Sequence, residues 1–591
     1  MKKRKDIDEK YKWNLREYFI NDSAWEKEFE NFSKDMSEIS KYNNKLDEKT
    51  NILNCFKTLY DLEARAEALY VYANCMKDLN VAETQNQVML NKIESKITEY
   101  YVLTSFVNPQ LSKLSKDFLL QLKEDKNFED YSKAINDVIR EKEHTLSEEQ
   151  ERILSQVSNF SGDFSTNFSN FENGDLKFNK VLNKKGKALP MDQNLASVYL
   201  RSNDDVLRQN AHIELNSAFG RFNNFLTSNY LASVKKDVFN AKVRNFKTAL
   251  EHALFYEEVN SNVYKKLVEK VESNLNLDHK YFEAKRKLLG LKTFKMSDVY
   301  YNPFKSSKKY TYEQAFETVC EALSILGEDY IKSLRDLNSN NKIDVFPTEN
   351  KYNGAYKTSA YGKPPVVLLN FAGEFDDVST IAHELGHAMH GIYSSKAQPM
   401  PKAHYKIFLA EIASTVNETL LNEYMLNKAI SKKEKIFYVN EFLSRFHATV
   451  YVQTMFASFE DLSHSLVENQ QDVSSTILNN EYLKLVKKYY GKKVKTFDCI
   501  KYAWSRIPHF YTAFYVYKYA TGLISAINIV ENLKDGTITV EDYKNFLSTG
   551  CKEDPLSLLK IVKVDLFSDE TFDKAFNVMK KYIKNLESLT K

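Results

Sequence analysis

Glycine and proline are scarce: the 591-residue chain holds 15 and 10 of them, well under the usual shares of about 7% and about 5%. Both punctuate turns and break helices, so their scarcity argues against a turn-rich fold and for long helices with few connections. Cysteine is sparse too. Cys55, Cys75, Cys320, Cys499 and Cys551 are odd in number, widely spread and form no C-x-x-C pair, which argues against a disulfide framework or a structural zinc finger. Neither sign of charge prevails. With 83 basic and 80 acidic residues the formal charge is +3, and no nucleic-acid partner is expected. No apolar run is long enough to span a bilayer. The basic start Met1–Lys5 leads into Asp6, Asp8, Glu9 and Lys10 rather than an apolar stretch, so it does not read as a secretory signal. The expectation is a soluble, reduced, cytoplasmic protein with no membrane partner.

What the chain does hold is apolar and aromatic side chains, 43% and 13% of its residues, enough to bury large cores. Its length predicts at least two lobes. From about residue 22, one amphipathic helix follows another. Ser23 with Glu26 reads as a capping box at a helix start, with Trp25 just inside. Val263, Leu267, Val268, Val271 and Leu275 recur at helical spacing and predict a buried stripe. Residues 160–190 break the pattern, and the run from Lys177 to Leu182 towards Lys185-Gly186 predicts a short hairpin and a boundary between lobes. The division expected is an N-terminal helical lobe over 1–185 and a second domain over 186–591 that carries the chemical motifs. A further irregular patch covers 297–373. Its run Val366–Leu369 predicts a strand, and Pro364-Pro365 at its start suits the edge of a small sheet.

Directly after that strand comes His383-Glu384-Leu385-Gly386-His387, a His-Glu-x-x-His motif. On a helix, residues four apart differ by about 40° and one turn, so both imidazoles can share one ion. Neutral imidazole suits Zn²⁺, which in a catalytic site takes three protein ligands and keeps one open position. Glu384 stands about 100° round the helix from His383, where it can reach a water rather than the metal. Asp376 or Asp377 can cap this helix and Gly391 can end it.

A third ligand is expected on the next helix, read over 404–428. Along its apolar face runs a polar stripe of Glu411, Ser414 and Glu418. Carboxylates in such surroundings are costly unless paired or metal-bound. Glu411 is the expected ligand, with Ser414 and Glu418 as its supports. His390 is the rival third ligand. It lies two turns from His383, about 10 Å along a straight helix, too far for three histidines to meet one ion readily.

The segment from Ile507 to Gly522 is dense in aromatic residues, with His509, Tyr511, Tyr515, Tyr517 and Tyr519. On composition alone it is a core segment; phenol and imidazole donors there could also stabilise an oxyanion.

The string from His383 to Gly391 resembles the signature of the thimet oligopeptidase and oligoendopeptidase F family, and so does Phe408–Ser414 some twenty-four residues on. The Ile507–Gly522 stretch resembles the oligoendopeptidase F branch, and weaker echoes at Tyr11–Leu15, Lys235–Phe239 and Phe546–Ser548 extend the likeness over the chain. The resemblance implies a mainly α fold, two helical lobes around a deep substrate channel, with a small β-sheet near the active site. It implies one Zn²⁺ per chain on His383, His387 and Glu411, with Glu384 as general base. His509 and Tyr517 would be transition-state donors, with Tyr511 a further candidate. The His509-to-Tyr517 interval is shorter than in thimet-type relatives, so Tyr511, Tyr515 and Tyr517 all stay open for the phenol role. The expected activity is zinc-dependent endopeptidase cleavage of short unstructured oligopeptides, by a monomer or simple homo-oligomer. An exo-acting dipeptidyl carboxypeptidase would need a group that reads the substrate's C-terminal carboxylate, and the sequence identifies none. A helical peptide-binding protein with a leftover metal site would not need Glu384.

Overall fold

Helices carry most of the chain in the computed structural model, which describes residues 2–304 and 308–590. The fold is mainly α with small sheets, as expected. The chain divides into two compact units. One comprises Met1–Glu148, Ser307–Leu421 and Ile529–Lys563; the other comprises Glu149–Ser306, Asn422–Asn528 and Val564–Lys591.

In the first unit, helix α1 spans Asp22–Asp35. Its cap is Asn21, whose side chain accepts the Ala24 N–H at 2.9 Å. The helix thus starts before the Ser23/Glu26 pair read as a capping box, because Asn21 already supplies a good N-cap one residue ahead of the first turn. Helix α2 (Lys49–Leu79) packs against both α1 and α3 (Thr84–Thr104). Trp25, Phe32, Leu69, Ile93 and Tyr100 form their shared core, and Val366 and Leu368 join it from a sheet.

That sheet has three strands, β1 (Ile343–Asp344), β2 (Tyr356–Thr358) and β3 (Val366–Leu368), in the spatial order β1-β3-β2. β3 runs parallel to β1, with Ile343 opposite Val367, and antiparallel to β2, with Lys357 opposite Val367. β3 is therefore the central strand and not an edge. Its three residues are all buried, which explains a continuous apolar run without alternation. The flanking strands of two and three residues were too short to register as a pattern. The hairpin at Val181–Leu182 and Ala188–Leu189 is present as expected, in the second unit. Lys351 locks the sheet: its buried ammonium sits 2.8 Å from Asp344 and donates to the carbonyls of Phe346 and Leu369.

Helix α4 (Phe375–Ala397) follows β3, and helix α5 (Ile407–Lys428) follows α4. Asp377 caps α4 from within its first turn, accepting the Glu374 N–H at 2.8 Å and the Ala372 N–H at 3.1 Å. Gly391 does not end the helix, which runs on to Ala397. Its bare Cα leaves room for the tip of a lysine side chain. A Cβ at Gly391 would lie 2.7 Å from the Lys357 ammonium on β2. Gly386 serves a close approach of backbone to backbone. A Cβ there would meet Ser414 Cα at 2.5 Å and the Ala413 oxygen at 2.7 Å, so only glycine lets α4 and α5 approach this closely. Asn417 ties the same pair, donating to the Ala382 carbonyl at 3.0 Å.

In the second unit, Val263, Leu267 and Val271 are buried as expected on the helix Ser261–Ser273, Val268 is only half-buried, and buried Leu275 opens the next helix. Among the described residues no helix is long and apolar enough to cross a membrane.

Candidate metal centre

The glycine-mediated approach of α4 and α5 brings His383, His387 and Glu411 together. The two Nε2 atoms are 3.2 Å apart, and Glu411 Oε2 lies 3.5 Å from His383 Nε2 and 3.7 Å from His387 Nε2. Three donors around one tetrahedral ion at about 2.0–2.1 Å stand about 3.4 Å from one another. The triangle is therefore the size that one such ion requires. Among the described residues, this is the one group of three or more His, Cys, Asp or Glu side chains with metal-ligand spacing.

The surroundings orient these donors. His383 donates from Nδ1 to Glu418 Oε1 at 2.5 Å, which leaves the Nε2 lone pair free to face the other two donors. The His387 ring bonds to the Ala410 carbonyl. Ser414 Oγ donates to the Glu411 carbonyl at 2.9 Å and lies 3.3 Å from its carboxylate. The stripe Glu411–Ser414–Glu418 thus faces α4 rather than solvent. Burial lowers the His387 pKa to about 3, reinforced by His383 and Lys357, so the ring is a neutral lone-pair donor. Burial also pulls His383 down, but its bond to Glu418 and three carboxylate charges outweigh that and raise it.

Glu384 is 7% exposed. Burial raises its pKa to about 7; His383 and the Lys357 backbone N–H pull down, while Glu411 and Glu418 push up. A carboxyl poised near neutrality can both take and return a proton. Beside it stands a side chain that nothing in the sequence singles out. Burial lowers the Lys357 ammonium to about 8, against the upward pull of Glu384 and Glu67, so it stays mostly charged at neutral pH.

His390 is not brought into the group. Fully buried, its ring stacks on Tyr405 at 3.6 Å and 5° and lies beside Phe546.

The aromatic segment belongs to the second unit and is described there by itself. His509 sits in the turn Pro508–Tyr511, with Tyr519 Oη 3.3 Å from its Nε2 and the Tyr515 ring stacked at 5.9 Å. Tyr517 is fully buried against Tyr264, ring centroids 5.3 Å apart. Tyr511 is buried against Phe168 at 4.9 Å. The structure thus gathers His509 with Tyr515 and Tyr519, and turns Tyr511 and Tyr517 inward. Phe514 between them adopts a left-handed φ of 56°, and its N–H donates to the buried Glu460 carboxyl at 3.1 Å.

Comparison with known proteins bears on this arrangement. The model of peptidase family M3 matches residues 198–578, and that of oligopeptidase F matches residues 110–178. The chain belongs to peptidase family M3. Membership makes it a metalloendopeptidase acting on peptides. This M3 peptidase is 34% identical to oligopeptidase PepF of Bacillus subtilis over 581 residues, 98% of this chain and 87% of the relative. The crystal structure of a Chlamydophila abortus protein described as a peptidase superposes with a TM-score of 0.93 at 32% identity, covering 100% of both chains. Oligoendopeptidase-F from Enterococcus faecium gives a TM-score of 0.75 at 28% identity, over 96% of this chain and 99% of that one.

Proposed function

We propose that this M3 peptidase hydrolyses internal bonds of short, unstructured oligopeptides in the cytoplasm, with one Zn²⁺ held by His383, His387 and Glu411. The observation that carries the reading is the 3.2–3.7 Å triangle of three donors beside a buried carboxyl. Two imidazoles and one carboxylate form a donor set suited to catalytic zinc. When bound, the zinc supplies Lewis acidity for the scissile carbonyl and the attacking water.

The chain's own groups do the rest. Glu384 takes the proton of the attacking water and passes it to the leaving amine. Glu418 holds His383 in one tautomer, and Ser414 holds Glu411. The family resemblance assigns the oxyanion donors to the aromatic segment, with His509 one of them. Tyr519 is our candidate for the phenol, because its hydroxyl bonds to His509, whereas Tyr517 and Tyr511 are buried against the rings of Tyr264 and Phe168. We also place the division between an N-terminal lobe and the catalytic domain near residue 185, supported by the gap between the two family matches at 178 and 198.

The test is Glu384→Gln in the zinc-loaded enzyme with an internally quenched peptide of about ten residues. The variant should keep its zinc and lose at least about 100-fold in kcat. Hydrolysis at a near-normal rate would overturn the mechanism.

A further inference from the structure

Within the second unit, Phe514 joins the turn Pro508–Tyr511, which carries His509, to the helix Tyr517–Asp535, which carries Tyr519. Its φ of 56° is costly for a residue with a bulky side chain, and such a conformation persists only where neighbours enforce it. Here they do so from the helix Gln453–Glu468 and from Tyr264. The Phe514 N–H donates to Glu460 Oε1 at 3.1 Å. The Phe514 ring packs on His464, centroids 4.5 Å apart, and His464 is itself bonded through Nδ1 to the Glu460 main-chain carbonyl at 2.8 Å. Tyr264 meets the same ring edge-on at 5.8 Å, its hydroxyl donating to the Ala457 carbonyl at 2.6 Å.

Packing holds the ring, but the buried N–H needs an acceptor. Glu460 supplies it from a side chain that is 0% exposed, and its Oε2 has no hydrogen-bond partner among the described residues. Burial, with a push from Asp237, raises its carboxyl well above the usual carboxylate range, against the downward pull of the Phe514 N–H. Glu460 is therefore a neutral acid in a dry core. An apolar side chain would fill that space without burying a polar group, so the Phe514 N–H is what the carboxyl serves.

We propose that Glu460 is a positioning residue of the peptidase reaction: by accepting the Phe514 N–H it holds the left-handed turn that sets the Tyr519 hydroxyl against His509. It acts through those two side chains and touches no substrate. This rests on the oxyanion reading of His509 and Tyr519 above and adds to it the device that aligns them.

The experiment measures kcat, KM and bound zinc on an internally quenched peptide for zinc-loaded wild type, Glu460→Met and Glu460→Gln, each with and without Tyr519→Phe. Glu460→Met removes the acceptor at similar volume. Its kcat should fall about 10- to 100-fold, the cost of a displaced transition-state donor, with KM and zinc content unchanged. Glu460→Gln keeps a neutral oxygen for the N–H and should stay near wild type. Tyr519→Phe should cost about 10-fold or more in wild type but almost nothing in Glu460→Met, where the phenol is already out of place. Should Glu460→Met not fold, Glu460→Asp replaces it, its acceptor drawn back by one methylene. Unchanged kcat in the variant lacking the acceptor overturns the proposal. So do equal losses in the methionine and glutamine variants, or the full Tyr519→Phe loss on top of Glu460→Met. If Tyr519→Phe alone costs nothing, the phenol assignment falls instead, and the same cycle with His509→Ala decides the role of Glu460.

Discussion

His383 shows how much of the site one residue's environment decides. Its Nε2 faces two other donors, and its Nδ1 is fixed by Glu418 at 2.5 Å. Removing that anchor by Glu418→Ala frees the ring to change tautomer and orientation. Zinc affinity should then fall about 10- to 100-fold, as for other outer partners of metal ligands. Competition with a calibrated chelator measures it, and an unchanged affinity would show that Glu418 plays no part in holding the ring. These residues were legible in the sequence. Two histidines one turn apart and a carboxylate stripe on the following apolar helix have a chemical reason to face one another. Lys357 was not legible, because nothing near it in sequence indicates that its strand lies beside α4. Tyr519 was lost for a related reason. Four tyrosines within nine residues look alike until the turn at Phe514, with its left-handed φ of 56°, decides which face inward.

At the scale of elements, the crossing of α4 and α5 makes the site. Helical periodicity predicted both helices, but not how closely they approach. The clue was Gly386 inside the His-Glu-x-x-His motif, since glycine within a helix often marks a close neighbour. Gly386→Ala would place a Cβ 2.5 Å from Ser414 Cα, against backbone that cannot swing aside. The helices would have to separate, carrying Glu411 away from the histidines. Zinc binding should weaken at least about 10-fold, although every ligand is still present, and titration calorimetry of the metal-free protein measures this. Retention of full affinity would mean that the close approach is not what builds the triangle. Caps and edges were less legible than helices. Asn21 displaced the expected cap, and β3 gained partners on both sides from strands too short to show a period.

At the scale of the whole molecule, composition alone gave the class: few glycines and prolines produced a mainly helical chain with three small sheets among the described residues. Neither contact-based unit is contiguous in sequence, and no linear pattern could show which segments join. Stability at this scale should respond to acid through groups buried neutral. His212 has its pKa lowered by burial, and further by Arg506, from 6.5 to about 3. The folded protein refuses a proton that the unfolded chain accepts. The stability from this group is therefore complete above pH 6.5 and drains away as pH falls from there towards 3, by about 1.4 kcal/mol per unit. His212→Leu should lose less Tm than wild type between pH 7 and pH 5. Equal losses would show that His212 is protonated in the fold.

The measurement that tests the central claim most directly is anomalous diffraction at the zinc edge from crystals grown with Zn²⁺. The account predicts one strong peak per chain, about 2.0–2.2 Å from His383 Nε2, His387 Nε2 and a Glu411 carboxylate oxygen. A peak on other side chains, or none at this triangle while zinc-dependent cleavage persists in solution, would contradict it.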